Sequence, residues 1–168
     1  MAFFVRKISR NKWPSNMCDI NDLSADAISD LRTTNNTLSI WRVDSEDELE
    51  HAILALAASS KVSRIENMSI VWIDEKELEK YGIKISDKEP GDTVVDDLKR
   101  THRDICDVTY KSLGDIARII LSEINEKEHV KRITKTEVRN LLVSAYNDKR
   151  LLEEKCMPEL IDEIKKYI

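Results

Sequence analysis

The sequence predicts an α+β fold: a small mixed β-sheet with one or two helices in the N-terminal part, followed by a mainly helical C-terminal layer. Three observations predict it. Apolar β-formers cluster in short runs before residue 90, and Pro90-Gly91-Asp92 is the one strong turn signal. After that turn the apolar residues recur at helical spacing. A chain of 168 residues is expected to form one domain, with a possible sub-division into a sheet-containing part, 1–89, and a helical part, 92–168.

Residues 3–9 alternate roughly and favour a strand that Pro14 ends. Ser24 is placed to cap a short helix over 24–31, and the Thr/Asn run 33–37 is a turn signal. Residues 38–43, Leu-Ser-Ile-Trp-Arg-Val, form the clearest early strand. Ser45 and Glu48 have capping-box spacing directly before Leu49, Ala52, Ile53, Leu56 and Ala57, which predicts a helix over 45–59. The acids in its first turn complement the positive end of the helix dipole. The apolar run 69–73 reads as a strand buried on both faces. A helix-like turn over 75–81 stops at Gly82, and 83–85 can form a further short strand.

Beyond the turn, Thr93 is placed to cap a helix through Asp104, on whose buried stripe Leu98, Ile105 and Cys106 would lie. Thr109 or Ser112 starts another, with an apolar stripe of Leu113, Ile116, Ile119, Ile120 and Ile124. Thr134 and Glu137 form a second capping box ahead of Val138, Leu141, Leu142, Ala145 and Tyr146. Pro158 opens a last helix.

Only three glycines are present, and that count excludes a Walker A loop, a dinucleotide fingerprint, a Gly-rich kinase loop and a nucleophile elbow. Gly82 reads as a helix stop and Gly91 as a turn, while Gly114, in the first turn of a helix, points to close approach of a neighbour. No cofactor is implied. The three cysteines, Cys18, Cys106 and Cys156, are widely spaced and are expected as buried free thiols, with no local metal motif. The N-terminus lacks the order of a signal peptide and no run approaches a membrane span, so a cytoplasmic location is expected.

Three sets of residues are candidates for function. On a helix, His102 would share a face with Asp104 and lie near Asp107, the raw material of acid/base chemistry. Arg100 with Asp104 and Arg103 with Asp107 would equally form a solvated, ion-paired face. The second set is basic. Arg6, Lys7, Arg10 and Lys12 sit in an N-terminal arm that ends in Trp13, and Lys131, Arg132, Lys135 and Arg139 lead into a capped helix. That helix carries polar residues where a helix-turn-helix recognition element would, but about ten residues precede it where such a turn has three or four. The third set suits a protein partner: Trp13, expected to be exposed between Lys12 and Pro14, and the acids Glu46, Asp47 and Glu50.

With charged residues at 35% and a formal net charge of −5, the chain reads first as a non-enzymatic accessory protein that binds another protein, in the manner of an immunity or antitoxin partner or a complex subunit. The alternative is a nucleic-acid-binding regulator that uses the basic arm and a basic helix around 131–140. An enzyme centred on residues 102–107 comes third.

Overall fold

The computed structural model describes residues 2–45 and 48–168. In chain order the elements are β1 (Phe3–Ile8), α1 (Ala25–Asp30), β2 (Leu38–Val43), α2 (Leu49–Ala57), β3 (Met68–Asp74), α3 (Glu75–Lys80), β4 (Ile85–Ser86), β5 (His102–Ile105), α4 (Tyr110–Asn125), β6 (Val130–Ile133), α5 (Lys135–Asn147) and α6 (Pro158–Lys165). The fold is α+β, with one six-stranded sheet in the order β4-β5-β2-β1-β3-β6. Every pairing is antiparallel, and strands come from both sides of the Pro90-Gly91 turn.

Helices cover both faces of this sheet, which explains the continuous apolar runs. Successive residues of a strand point to opposite faces. Val5, Trp41, Val43 and Ile70 therefore pack under α2, α5 and α6, through Ile53, Leu142 and Leu160 among others. Their chain neighbours Phe4, Ile40, Val71 and Ile73 pack under α1, α3 and α4, against Ala27, Leu78, Ile116 and Ile120. Where both faces are buried, the alternation of a half-exposed strand disappears.

The caps read from the sequence set most helix starts. Ser24 accepts from the backbone N–H of Ala27, Thr109 and Thr134 each close a capping box, and Pro158 occupies the first turn of α6. Helix α2 differs: it begins at Leu49, and the Glu48 carboxylate reaches back to the Asp44 N–H at 3.0 Å. The helix expected over 93–104 is not formed. Residues Asp96–Thr101 make 3-10 turns and the chain then enters β5, because Trp41↔His102, Ile40↔Arg103, Ser39↔Asp104 and Leu38↔Ile105 extend the sheet. The expected charge pairs go with it: Arg103 donates to the carbonyls of Arg100 and His102, and Asp107 pairs with Lys84 at 3.0 Å. Leu98 and Ile105 are buried, whereas Cys106 is half-buried, as are the other two cysteines, all three being free.

The glycines also change places. A Cβ on Gly114 would meet nothing within 4 Å, whereas one on Gly91 would sit 2.3 Å from Trp41 Cη2 and 2.8 Å from His102 Cβ. Gly91 is therefore the point of close approach, and Gly82, at φ +65°, is the left-handed stop expected after α3. Gly91→Ala should force Trp41 or His102 to move and cost about 1–3 kcal/mol, read as a lowered midpoint in urea with an unchanged m-value.

Glu123, on α4, is fully buried and accepts from Lys127 Nζ at 3.1 Å and His129 Nδ1 at 2.7 Å. His129 in turn stacks on Trp72, with ring centroids 5.4 Å apart, so the carboxylate ties the end of α4 to β3 and the start of β6. Both partners keep about a third of their side chains in solvent. Glu123→Ala is accordingly expected to cost about 2 kcal/mol in urea unfolding, below the roughly 3–5 kcal/mol of a sealed ion pair.

Candidate nucleic-acid interface

The two basic stretches, far apart in the chain, meet at one end of the sheet. Lys7 of β1 lies level with Ile70 of β3, which lies level with Lys131 of β6; Ile8, Ser69 and Arg132 form the next row. Two strand spacings put the Lys7 and Lys131 backbones roughly 10 Å apart. The arm after β1 turns back through Arg10–Lys12 and is pinned by Asp30, whose Oδ2 accepts from Ser9 N at 2.8 Å and Trp13 Nε1 at 3.0 Å. This fold-back opens a groove of about 970 Å³ that Lys7, Arg10, Asn11, Asn67 and Arg132 line, with Trp13, Pro14 and Val130 as apolar wall.

A second cavity, of about 220 Å³, adjoins the groove through Lys7, Glu66 and Met68 and adds Lys61 and Arg64 from the α2–β3 connection. Among the described residues lining the two, Lys7, Arg10, Lys61, Arg64 and Arg132 face a single carboxylate, Glu66, which pairs with Arg64. Lys7, Lys61, Arg64 and Arg132 are exposed, and Arg10 is half-buried with one guanidinium N–H donated to the Trp13 carbonyl at 2.8 Å. On a chain of net charge −5 this is a local reversal of sign.

The other basic candidates are committed elsewhere. Arg6 points into the core side of the arm and donates to Ser39 O at 2.8 Å and Asp30 O at 3.1 Å. Burial pushes its guanidinium down to about 10, and Asp30 acts in the opposite direction. Lys12 reaches Ser29 Oγ at 3.2 Å. Lys135 pairs with Glu163 at 2.7 Å, a bond that raises the ammonium above its ordinary range, and Arg139 lies over the Tyr167 ring at 4.8 Å. The basic helix expected around 131–140 is thus two elements, strand β6 with the exposed Lys131 and Arg132, and helix α5, whose exposed Lys135 is paired with Glu163. Lys131 faces partly toward α5, where it helps the Thr134 hydroxyl hold the Glu137 carboxyl below its usual range.

Trp13, expected on the surface, is buried at 3% exposure because Asp30 supplies an acceptor for its indole N–H. The indole is therefore not presented at the surface. Glu46 and Asp47 lie outside the described residues, and Glu50 is exposed on α2. His102 and Asp104 do come together, on one face of a strand, with Nε2 and Oδ1 3.8 Å apart, while Asp107 turns away to Lys84.

Lys61, Arg64 and Asn67 join the band without any signal in the sequence, since each is an isolated polar residue in the α2–β3 connection, while Asn11 lies inside the basic arm itself. Among the described residues no group of three His, Cys, Asp or Glu is placed to hold a metal ion, and no helix is long and apolar enough to cross a membrane. Compared with known family models, curated proteins and solved structures, the chain matches none.

Proposed function

We infer that this chain binds the phosphate backbone of nucleic acid, without reading base sequence, along the band formed by Lys7, Arg10, Lys61, Arg64 and Arg132. The observation that carries the reading is the convergence of these cations from three separated segments on one groove with Glu66 as its only lining carboxylate among the described residues. Cations at this density release condensed counterions from a polyphosphate, whereas scattered surface charges interleaved with acids do not. Asn11 and Asn67 add hydrogen-bonding side chains of the kind that contact phosphate and sugar oxygens. Trp13 supports the groove wall rather than a stacked base, so affinity without sequence preference is the expected outcome. The reading carries a cytosolic location with it, which three free cysteines fit.

The test is fluorescence anisotropy at low salt with labelled duplex and single-stranded oligonucleotides of scrambled sequence, and labelled polyglutamate as an acidic-protein surrogate. Saturable binding to nucleic acid and little to polyglutamate is expected. Equal binding to polyglutamate would return the band to a protein partner. No binding to either would leave Lys131 and Arg132 as charges that keep the edge strand β6 from pairing with other chains.

A further inference from the structure

We propose that Ser39 and His102 form a nucleophile–base pair that accepts acyl groups from activated esters. Ser39 lies exposed on β2, and its Oγ is 2.5 Å from His102 Nε2 on the paired strand β5. The other ring nitrogen, Nδ1, is 3.0 Å from the backbone carbonyl of Glu89. A carbonyl only accepts, so Nδ1 carries the proton, and in the neutral ring Nε2 turns its lone pair on the serine hydroxyl. Ser39 is thereby the donor and His102 the base, with the imidazole orientation set by a third group, as nucleophilic catalysis requires.

The ring is also held in place. His102 is only 6% exposed, the Trp41 ring meets it edge-on at 5.2 Å, and Gly91 packs against its Cβ where any side chain would collide. Asp104, 8% exposed, has Oδ1 3.8 Å from Nε2, on the same side of the ring as Ser39, and its charge faces the proton that Nε2 takes up. The base is thus buried and oriented while the residue it activates reaches solvent, which is the arrangement a nucleophile and its base need.

In the step proposed, Ser39 Oγ attacks the ester carbonyl carbon while its proton passes to His102 Nε2. The bond to the alkoxide breaks, the alkoxide takes the proton from Nε2, and an acyl-Ser39 with a free alcohol results. Water then repeats the sequence and releases the carboxylic acid. No oxidant or metal is required. The pair lies apart from the residues lining the basic band, so the two readings fail separately.

The experiment is labelling of the intact protein with a fluorophosphonate, in which Ser39 Oγ bonds to phosphorus, fluoride leaves and His102 takes the serine proton. A single adduct at Ser39, mapped by peptide mass spectrometry, is expected to form at least about 100-fold faster than in the urea-denatured chain, the scale of general-base assistance. Ser39→Ala should abolish it, and Asp104→Asn, which keeps the side-chain shape but removes the charge facing Nε2, should slow it about tenfold. His102→Gln should remove the rate advantage where circular dichroism shows it folded; the native-to-denatured ratio decides the matter if it is not. Labelling spread over several serines, or native Ser39 no faster than the denatured chain, would overturn the proposal.

Discussion

Asp30→Ala is expected to lower the unfolding free energy by about 3 kcal/mol and the melting temperature by roughly 6–12 °C, at the usual few degrees per kcal/mol for a chain of this size. One carboxylate oxygen holds the Ser9 N–H and the Trp13 indole N–H, and the same charge stands opposite the Arg6 guanidinium. Truncation leaves two donors without their acceptor in a partly buried place and removes the charge opposite Arg6, which keeps its backbone acceptors but whose Nε is already a buried atom with no partner. The loss is smaller than for a sealed ion pair because Asp30 is itself half-buried. Asp30→Asn keeps the shape and one acceptor oxygen, so it should fall between wild type and alanine. Thermal melts and urea unfolding of both variants measure this. A change within about 0.5 kcal/mol for Asp30→Ala would mean that the arm is not pinned as described.

Charge reversal in the band has the largest expected effect on binding. Lys7→Glu, Lys61→Glu and Arg132→Glu combined should weaken nucleic-acid affinity by about 10²–10³ at low salt, since each replaces a counterion-releasing contact by a repulsive one. All three side chains are exposed, so stability should stay nearly unchanged. Arg139→Gln is the internal control. Arg139 belongs to the same basic stretch of the sequence as Arg132, but it stands on α5 with its guanidinium over the Tyr167 ring, just past α6. Its loss should alter affinity less than about twofold, because it adds no phosphate contact. Equal effects from Arg139→Gln and Arg132→Gln, which change the net charge alike, would show that net charge, not the band, governs binding.

Much of the architecture was legible from local signals. Thr134 with Glu137, Ser24, Gly82 and Pro158 each do what their residue type does at a helix end, the β-formers of β2 announce a strand, and the apolar run of β3 announces one buried on both faces. What stayed hidden depends on partners distant in the chain. His-Arg-Asp-Ile of β5 and Val-Lys-Arg-Ile of β6 are short and charged, and become strands only because β2 and β3 present unpaired edges to them. Helical spacing of charge over 96–107 was the competing signal, and ladder pairing overrode it. Trp13 looked exposed between Lys12 and Pro14 because nothing local reveals that Asp30 waits for its N–H. For the site, each basic stretch was visible but their meeting was not. It takes the β1-β3-β6 order to join Lys7 to Arg132, and the α2–β3 connection to bring Lys61.

The central claim is that a few cations on one band bind phosphates, and the salt dependence of affinity tests it most directly. With four to five cations engaged, log K against log salt for duplex DNA is expected to fall with a slope of about −4, and to flatten by about one for each cation removed from the band. A slope near zero, or one unchanged when Lys7 and Arg132 are replaced, would contradict it.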